Sequence, residues 1–456
     1  MWFYVRNPFL RRVLLVVFLD LSCFAAAGFA ARSIAAPEMP LLLFTAAIAV
    51  AAGGLVLALQ ATGAYDLGVL GDGRRTLSAV VATMGIGMAA GLVFYFVVPA
   101  PPGTKGVLAH GAAMFFPAML LTRLVFRTVS RQRLTRILLV GTSDLSFAIS
   151  EAIGSRSGLG LEVVGLLSDD PDHQGASLNG VEVVGKIHNL EKVILADLAD
   201  SVVMASQSRE EHFPSDQLLQ LKLRGFPVES GIELYERISG EIYLRNLRSS
   251  QLIFSEGFRL GRIQAFAKRC LDVGFALTGL AVAAPVLLLG ALAIRLDSRG
   301  PVLYRQTRLG QFDRPFELLK LRSMSHEAEQ ETGPVFASRN DPRITRVGRF
   351  LRRTRIDELP QLWNVLRGDM SVVGPRPERP EFVERISQRF PYFRYRSMCK
   401  PGVTGWAQSR LGYVSEIDGF ERKLALDLYY LKHRSFSLDL SIIWSTVRTV
   451  VTLSGV

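Results

Sequence analysis

Residues 267–300 read AKRCLDVGFALTGLAVAAPVLLLGALAIRLDSRG, and the reading of this run decides where the last third of the chain lies. It is apolar for nearly the length a helix needs to cross a hydrocarbon core of about 30 Å. Yet Pro285 stands at its centre, and basic residues close both ends: Lys268 and Arg269 before, Arg295 and Arg299 after. A through-span would carry everything after residue 300 across the membrane and would break the basic-flank rule at one end. A hairpin broken at the proline avoids both problems. Pro285 removes a backbone donor and clashes with the preceding turn, so a re-entrant helix over about 267–298 is expected to bend there and return to its own side. Neighbouring polar groups must then satisfy the carbonyl freed at membrane depth. The competing reading is a kinked fifth span.

Upstream, four apolar runs at 13–31, 39–59, 76–98 and 107–129 are each long enough to cross a bilayer, which predicts a bundle of four transmembrane helices over 1–132. The first run has no small-residue cleavage site followed by a polar domain, so it is expected to be retained as an anchor. Arg6, Arg11, Arg12, Arg74, Arg75, Arg127, Arg131, Arg133 and Arg136 fall on one side of these spans, against Arg32 and Lys105 on the other. That asymmetry places the N-terminus and everything after span four in the cytoplasm.

From Arg136 the pattern changes to ILLVGTSD, AISEAIGS, LEVVGLLSD, VEVVG and DSVVMAS. This alternation of strand and helix signals predicts a Rossmann-like α/β domain over 133–255. Its first turn, Gly141 to Ser146, is not GxGxxG, and Asp144 would repel a pyrophosphate. A structural or regulatory module without a cofactor is expected.

Composition agrees with a membrane protein. Hydrophobic residues make up 49% and the formal net charge is +12, which suits apolar spans with basic cytoplasmic surfaces. No nucleic-acid-binding signature interleaves the basic residues, so nucleic acid is not an expected partner. Cys23, Cys270 and Cys399 are far apart, and the six histidines form no HxxxH pair. Neither a disulfide framework nor an imidazole-based metal centre is indicated.

Downstream of the apolar run, the stretch RIDELPQLWN (355–364) sets Asp357 and Glu358 among Arg339, Arg343, Arg346, Arg349, Arg352, Arg353, Arg355 and Arg376. From residue types alone this is either a helix cap on a solvated charged face or a reactive pair in a phosphate-binding field. Pro360 with Ile356, Leu359, Trp363 and Leu366 predicts that a helix begins here, with Gly368 past its end. Its N-terminal end would favour an ionised Asp357.

The surrounding motifs are FELLKLRSM (316–324), DELPQLWNVLRGDMSVVGPRP (357–377) and PGVTGWAQ (401–408). In this order, from about 260 to 456, the chain resembles the bacterial sugar transferase family of polyprenyl-phosphate phosphoglycosyl transferases, in its larger, exopolysaccharide-initiating form. The resemblance implies an α-rich catalytic domain over 256–456. It would move a sugar 1-phosphate from a nucleotide diphosphate sugar, a UDP-sugar, to polyprenyl (undecaprenyl) phosphate on the cytoplasmic face of the bacterial inner membrane, and it would form a homodimer. By that resemblance Asp357 is the nucleophile that forms an aspartyl phosphosugar intermediate, and Glu358 holds Mg²⁺.

Three phosphates visiting one site demand cations, and Lys320, Arg322, Arg355 and Arg376 are the candidates, arginine for its planar fork. Arg410 is expected at the nucleotide and Asp427 at the metal or nucleotide, while Asp369 is expected to cap or pair with arginine. The turn GQFDRPF (310–316) departs from the family's glycine-rich pattern at Phe312 and Asp313. The C-terminal LDLSIIWSTVRTVVTL is expected to be an interfacial helix on the lipid bilayer.

The main alternative is a membrane-anchored, NAD-dependent nucleotide-sugar dehydratase or epimerase. That chemistry uses a sound dinucleotide loop and a Tyr-x-x-x-Lys pair, and no tyrosine here is followed four residues later by lysine.

Overall fold

The computed structural model describes residues 8–35 and 104–130, single positions and short stretches such as 77–81 between them, and then 134–206, 214–325, 341–411 and 419–451, apart from 157, 158, 197, 246 and 248. Two units result, Met1–Ser239 and Gly240–Val456.

In the first unit, α1 (Pro8–Ala35) and α2 (Thr104–Ser130) are long helices. Val16, Ala27, Phe115 and Met119 are buried in one cluster, while Leu15, Phe18, Leu121 and Leu124 point outward. A helix that is apolar on its exposed face as well as its packed one suits a hydrocarbon surround. Leu15–Ile34 is long and apolar enough to cross a membrane, and Ala109–Val125 is a shorter apolar stretch. These correspond to the first and fourth expected spans. The second and third lie largely outside the described residues, although Leu59, Ala79 and Val80 join the same cluster. Most of the arginines used to orient the bundle also lie outside the described residues. A feature absent from the sequence reading is a buried ion pair: Arg123 donates to both carboxylate oxygens of Asp20, at 2.9 and 2.6 Å. Two charges share their desolvation there, which ties α1 to α2 across an apolar interface.

The α/β part follows the predicted alternation. Strands β1 (Thr135–Val140), β2 (Leu161–Leu167), β3 (Ser177–Leu178), β4 (Val181–Gly185), β5 (Ser201–Met204) and β6 (Val228–Ser230) form one sheet in the order β3-β4-β2-β1-β5-β6. All pairings are parallel except β3 with β4, and the helices of this stretch are α3 (Asp144–Gly154), α4 (Leu190–Leu195), α5 (Ser215–Leu223) and α6 (Gly231–Ser239), with the short α7 (Ser249–Ile253) opening the second unit. The run Ile137 to Val140 is wholly buried because a central parallel strand is covered on both faces. Strand order reverses at β1, the place where such sheets bind ligands. Here the turn is filled by its own side chains: Ser143 Oγ donates to Ala205 O, Ser146 Oγ donates to Gly141 O, and a Cβ on Gly141 would stand 2.7 Å from that of Ser206.

The second unit is organised on α8, the segment Arg262–Asp297. The expected break is not what forms: the backbone is helical through all 36 residues, with Pro285 inside. A proline deletes one hydrogen bond and can be absorbed by bending, so the remaining bonds keep the helix intact. Buried residues Asp272, Ala276, Ala283, Gly290 and Ile294 recur at spacings of four and seven, which makes one continuous packed stripe. The opposite face is open, with Val282 77% exposed and Leu288, Leu289 and Leu296 beside it. Both ends are tied to this unit. Lys268 Nζ donates to Asp439 at 2.6 Å and Arg269 donates to Val365 O and Leu366 O, while Asp297 accepts from Val347 N. The chain before and after the apolar run therefore belongs to one body.

Against α8 pack a hairpin of β7 (Leu303–Leu309) and β8 (Pro315–Leu321), the short helices α9 (Arg346–Arg353) and α10 (Gln361–Arg367), and the parallel pair β9 (Ser371–Val373) and β10 (Gly402–Thr404). Helices α11 (Pro380–Arg389), α12 (Trp406–Arg410), α13 (Gly419–Lys432) and α14 (Phe436–Val451) complete it. Residues at the start of the unit join its core: Ile242 N donates to Ala425 O, and its side chain packs with Phe382, Phe393 and Phe420.

Candidate active site

Three backbone devices assemble the charged centre. On β8, alternation sends Leu318 and Leu321 to opposite faces and into separate buried clusters, while Lys320, on the Leu318 face, reaches the acidic pair with its long side chain. After α9, Arg355 takes a left-handed conformation (φ 59°) and reverses the chain into a 3-10 turn, Ile356–Glu358. The regular helix α10 starts only after Pro360 and ends at Gly368 (φ 93°). The third device is a close crossing of two glycine segments. A Cβ on Gly374 would meet Gly402 N at 2.9 Å, so VGPRP and PGVTG pass closer than any side chain would allow, and Arg376 emerges facing Glu358.

Lys320, Arg355, Arg376, Asp357 and Glu358 are thus brought together. Glu358 accepts from Arg376 Nη2 at 2.9 Å and from Lys320 Nζ at 3.3 Å, and its other oxygen lies 3.6 Å from Arg355. Burial would raise its pKa, but Arg376, Lys320 and Arg355 outweigh that and hold the carboxyl well below its ordinary range. Asp357 is 5% exposed and makes no hydrogen bond or ion pair among the described residues. Burial, reinforced by the negative charge of Glu358, pushes its pKa up to about 6. The expectation that a helix end would favour its ionised form is corrected: the pair sits on a turn ahead of the helix, and desolvation dominates. Lys320 is lowered by burial, while the Glu358 charge raises Arg376.

Three expected site residues lie elsewhere. Arg322, buried, donates Nη2 to Ser298 O and Oγ at 2.8 and 2.9 Å, and its Nε and Nη1 have no partner among the described residues. Arg410 lies 3.9 Å over the ring of Trp406, which in turn stacks on Tyr429. Asp427 accepts two hydrogen bonds from Arg396, at 2.9 and 2.6 Å, and is fully enclosed. Asp369 pairs with Arg367 at 3.3 Å, as expected.

Sequence reasoning missed a second buried charge cluster. Glu378 pairs with Lys423 and lies 3.7 Å from Arg308 and 3.9 Å from Arg396. Burial raises Glu378, yet Lys423, Arg396 and Arg308 hold it down at about 2. The i,i+4 spacing of Lys423 and Asp427 on α13 was the available signal. A cleft open to solvent adjoins this cluster, lined among others by Arg376, Glu378, Arg394 and Arg396. Arg376 therefore belongs to both the acidic centre and the pocket wall.

Among the described residues no group of three or more His, Cys, Asp or Glu could hold a metal. Mg²⁺ ordinarily takes one or two carboxylates and completes its shell with phosphate and water. The adjacent Asp357 and Glu358 suit that mode, with Glu358 the ionised donor.

The family model described as bacterial sugar transferase matches residues 263–453. The chain is 38% identical over 263 residues to the UDP-N-acetylgalactosamine-undecaprenyl-phosphate N-acetylgalactosaminephosphotransferase of Aeromonas hydrophila, covering 58% of this chain and 59% of that protein. It is 47% identical over 187 residues to the UDP-glucose:undecaprenyl-phosphate glucose-1-phosphate transferase of Caulobacter vibrioides, covering 41% and 70%. It is 31% identical over 358 residues to the UDP-galactose-lipid carrier transferase of Erwinia amylovora, covering 73% and 72%. The chain thus matches somewhat over half the length of the Aeromonas relative and more of the other two.

Proposed function

Because the chain belongs to the bacterial sugar transferase family, we propose that it transfers a sugar 1-phosphate from a UDP-sugar to undecaprenyl phosphate, giving undecaprenyl-diphosphate-sugar and UMP at the start of a surface-glycan pathway. One observation carries the mechanism: of two adjacent carboxylates, Glu358 is held by three cations and Asp357 by none among the described residues. A carboxylate kept unpaired in a buried, cation-lined site is available to attack phosphorus.

Lys320, Arg355 and Arg376 neutralise Glu358 before substrate arrives, and the donor's diphosphate offers them a second set of anionic oxygens. Asp357 then attacks the sugar-bearing phosphorus. The bond to the bridging oxygen breaks, UMP leaves with that electron pair, and a phosphosugar-aspartyl ester remains. An oxygen of undecaprenyl phosphate attacks the same phosphorus, and the Asp357 carboxylate departs unchanged. Glu358 would hold Mg²⁺, whose charge would neutralise the diphosphate and the departing monophosphate. A carboxyl with a pKa near 6 is mostly ionised at neutral pH and is also a competent leaving group.

The open face of α8 would lie in the cytoplasmic leaflet of the inner membrane, with its packed stripe holding the charged centre at the bilayer surface where a lipid phosphate arrives. Arg262 at one end and Arg295 at the other, both exposed, suit phospholipid headgroups.

The test is a screen of UDP-sugars for UMP release by the purified protein with Mg²⁺ and undecaprenyl phosphate. Release with at least one sugar, lost in Asp357→Asn, is expected. No release with any sugar would contradict the proposal.

A further inference from the structure

The turn between β7 and β8 is a tight hairpin turn, closed by Arg314 N donating to Gln311 O at 3.3 Å, whose geometry calls for left-handed backbone at both central residues. Gln311–Asp313 forms a single 3-10 turn in which Phe312 (φ 57°) and Asp313 (φ 57°) both adopt the left-handed conformation. Glycine, asparagine or aspartate ordinarily fills such places, and Phe lacks the local hydrogen bonding that makes this region tolerable for Asp. Two in succession persist only where surrounding structure fixes them. Here it does: Leu309 N donates to Glu378 O at 3.0 Å, Gly310 N to Arg314 O at 2.8 Å, and Gln311 Nε2 to Met398 O at 3.2 Å.

The turn geometry aims one side chain. Asp313 lines the pocket beside the acidic centre and pairs with Arg394 at 3.3 Å, which lines it too and is held from behind by Glu384 at 2.5 Å. The inner wall is Arg376, already bonded to Glu358. A ligand group in this pocket is therefore next to the phosphate that Arg376 binds.

Two parts of the donor flank that phosphate, the nucleoside and the sugar, and the lining discriminates between them. A base is ordinarily held by an open aromatic face. The aromatic ring here, Phe393, is 0% exposed and sits beneath Arg396 at 4.9 Å. What remains is a carboxylate, arginines and Ser397, groups that donate to and accept from hydroxyls.

We propose that the pocket bounded by Asp313, Arg394 and Arg376 receives the hexose of the nucleotide-sugar donor, and that the left-handed turn at Phe312 and Asp313 sets which hexose is accepted. This rests on the transferase reading. Asp313 accepts from a ring hydroxyl, and Arg394 holds the carboxylate in place and donates to a neighbouring oxygen. A site that bonds a hydroxyl disfavours the epimer that cannot supply it, and because Arg394 and Asp313 are 44% and 31% exposed the discrimination is that of one part-solvated hydrogen bond.

The full-length protein in detergent, with Mg²⁺, is titrated with UDP, UMP and UDP-hexoses that differ at single hydroxyl or acetamido positions, for the wild type and for Asp313→Gly and Arg394→Gln. Glycine suits φ 57°, so Asp313→Gly removes the carboxylate without disturbing the turn and keeps the fold intact. Wild type is expected to rank the hexoses, and both variants to compress that ranking by about tenfold, the scale of one charge-assisted hydrogen bond, with UDP and UMP binding unchanged. An unaltered ranking overturns the assignment. So does an equal loss for UDP and for every UDP-hexose, which would make the pocket a nucleotide site. No binding of any UDP-hexose by the wild type overturns the pocket and the transferase reading together. Discrimination in binding without UMP release overturns the transferase reading alone.

Discussion

Glu358 accepts a hydrogen bond from Arg376 at 2.9 Å, while Asp357, its neighbour on the same 3-10 turn, is buried without a partner among the described residues. Two carboxylates one residue apart are thereby made chemically unlike. One is a fixed negative charge for cations or metal, and the other is a carboxyl whose ionisation burial opposes, so that it titrates just below neutral pH.

The opposition should be visible in stability. A carboxyl whose folded pKa is raised contributes stability present below its unfolded value and lost as pH rises through the folded one, here between about pH 4 and 6. Asp357→Asn removes the buried charge. Its unfolding midpoint should exceed that of the wild type at pH 7.5, by up to about 3 kcal/mol in equivalent free energy, and the gap should close near pH 4. Equal midpoints at both pH values would show that Asp357 is not desolvated.

The same ionisation should shape turnover. Because attack requires the carboxylate, kcat/KM should fall with a slope of one per pH unit below about pH 6. Glu358 stays ionised and adds no limb there. A profile flat down to pH 5 would separate the rate from Asp357.

Arg376 serves both the acidic pair and the pocket, so replacing it has two costs. Arg376→Ala leaves Glu358 buried with less compensation, a loss of about 3–5 kcal/mol, and should lower kcat/KM by about 10²–10³. Arg376→Lys keeps the charge without the fork and should fall between alanine and wild type. Thermal midpoints and initial rates for the two variants check the order.

A fourth expectation concerns the base of α8. Lys268 Nζ bonds Asp439 at 2.6 Å and Val373 O at 3.1 Å, and Tyr430 OH bonds Asp439 at 2.8 Å. Val373 lies three residues before Arg376. Lys268→Met should destabilise by about 3–5 kcal/mol by stranding Asp439, and adding Asp439→Leu should recover part of that. Additive losses in the unfolding midpoint would dissolve the coupling.

How legible was this in the sequence? The strands Ile137–Val140 and Ser201–Met204 could be read from continuous apolar runs, because a covered parallel sheet demands them. The gathering of Lys320, Arg355, Arg376 and the acidic pair followed from motif resemblance. Partner choice over long separations was not readable. Asp427 answers Arg396, Arg410 lies on Trp406, and Asp20 finds Arg123 across 103 residues. Each is settled by packing that no local pattern encodes. Pro285 misled for the opposite reason, since a strong local signal for a break was absorbed by the rest of a 36-residue helix. The ionisation of Asp357 was also misread, because charge near a turn is local whereas desolvation belongs to the folded site.

The central claim is that Asp357 becomes covalently linked to the sugar phosphate. The most direct measurement is incubation of the full-length protein with Mg²⁺ and a UDP-sugar labelled in the sugar and its attached phosphate, without lipid acceptor, followed by denaturation and counting of protein-bound label. Up to one label per chain, one UMP released for each, and discharge on adding undecaprenyl phosphate are predicted for the wild type, with none for Asp357→Asn. Wild-type protein that turns over in the presence of acceptor yet never carries label, or label retained by Asp357→Asn, would contradict the account.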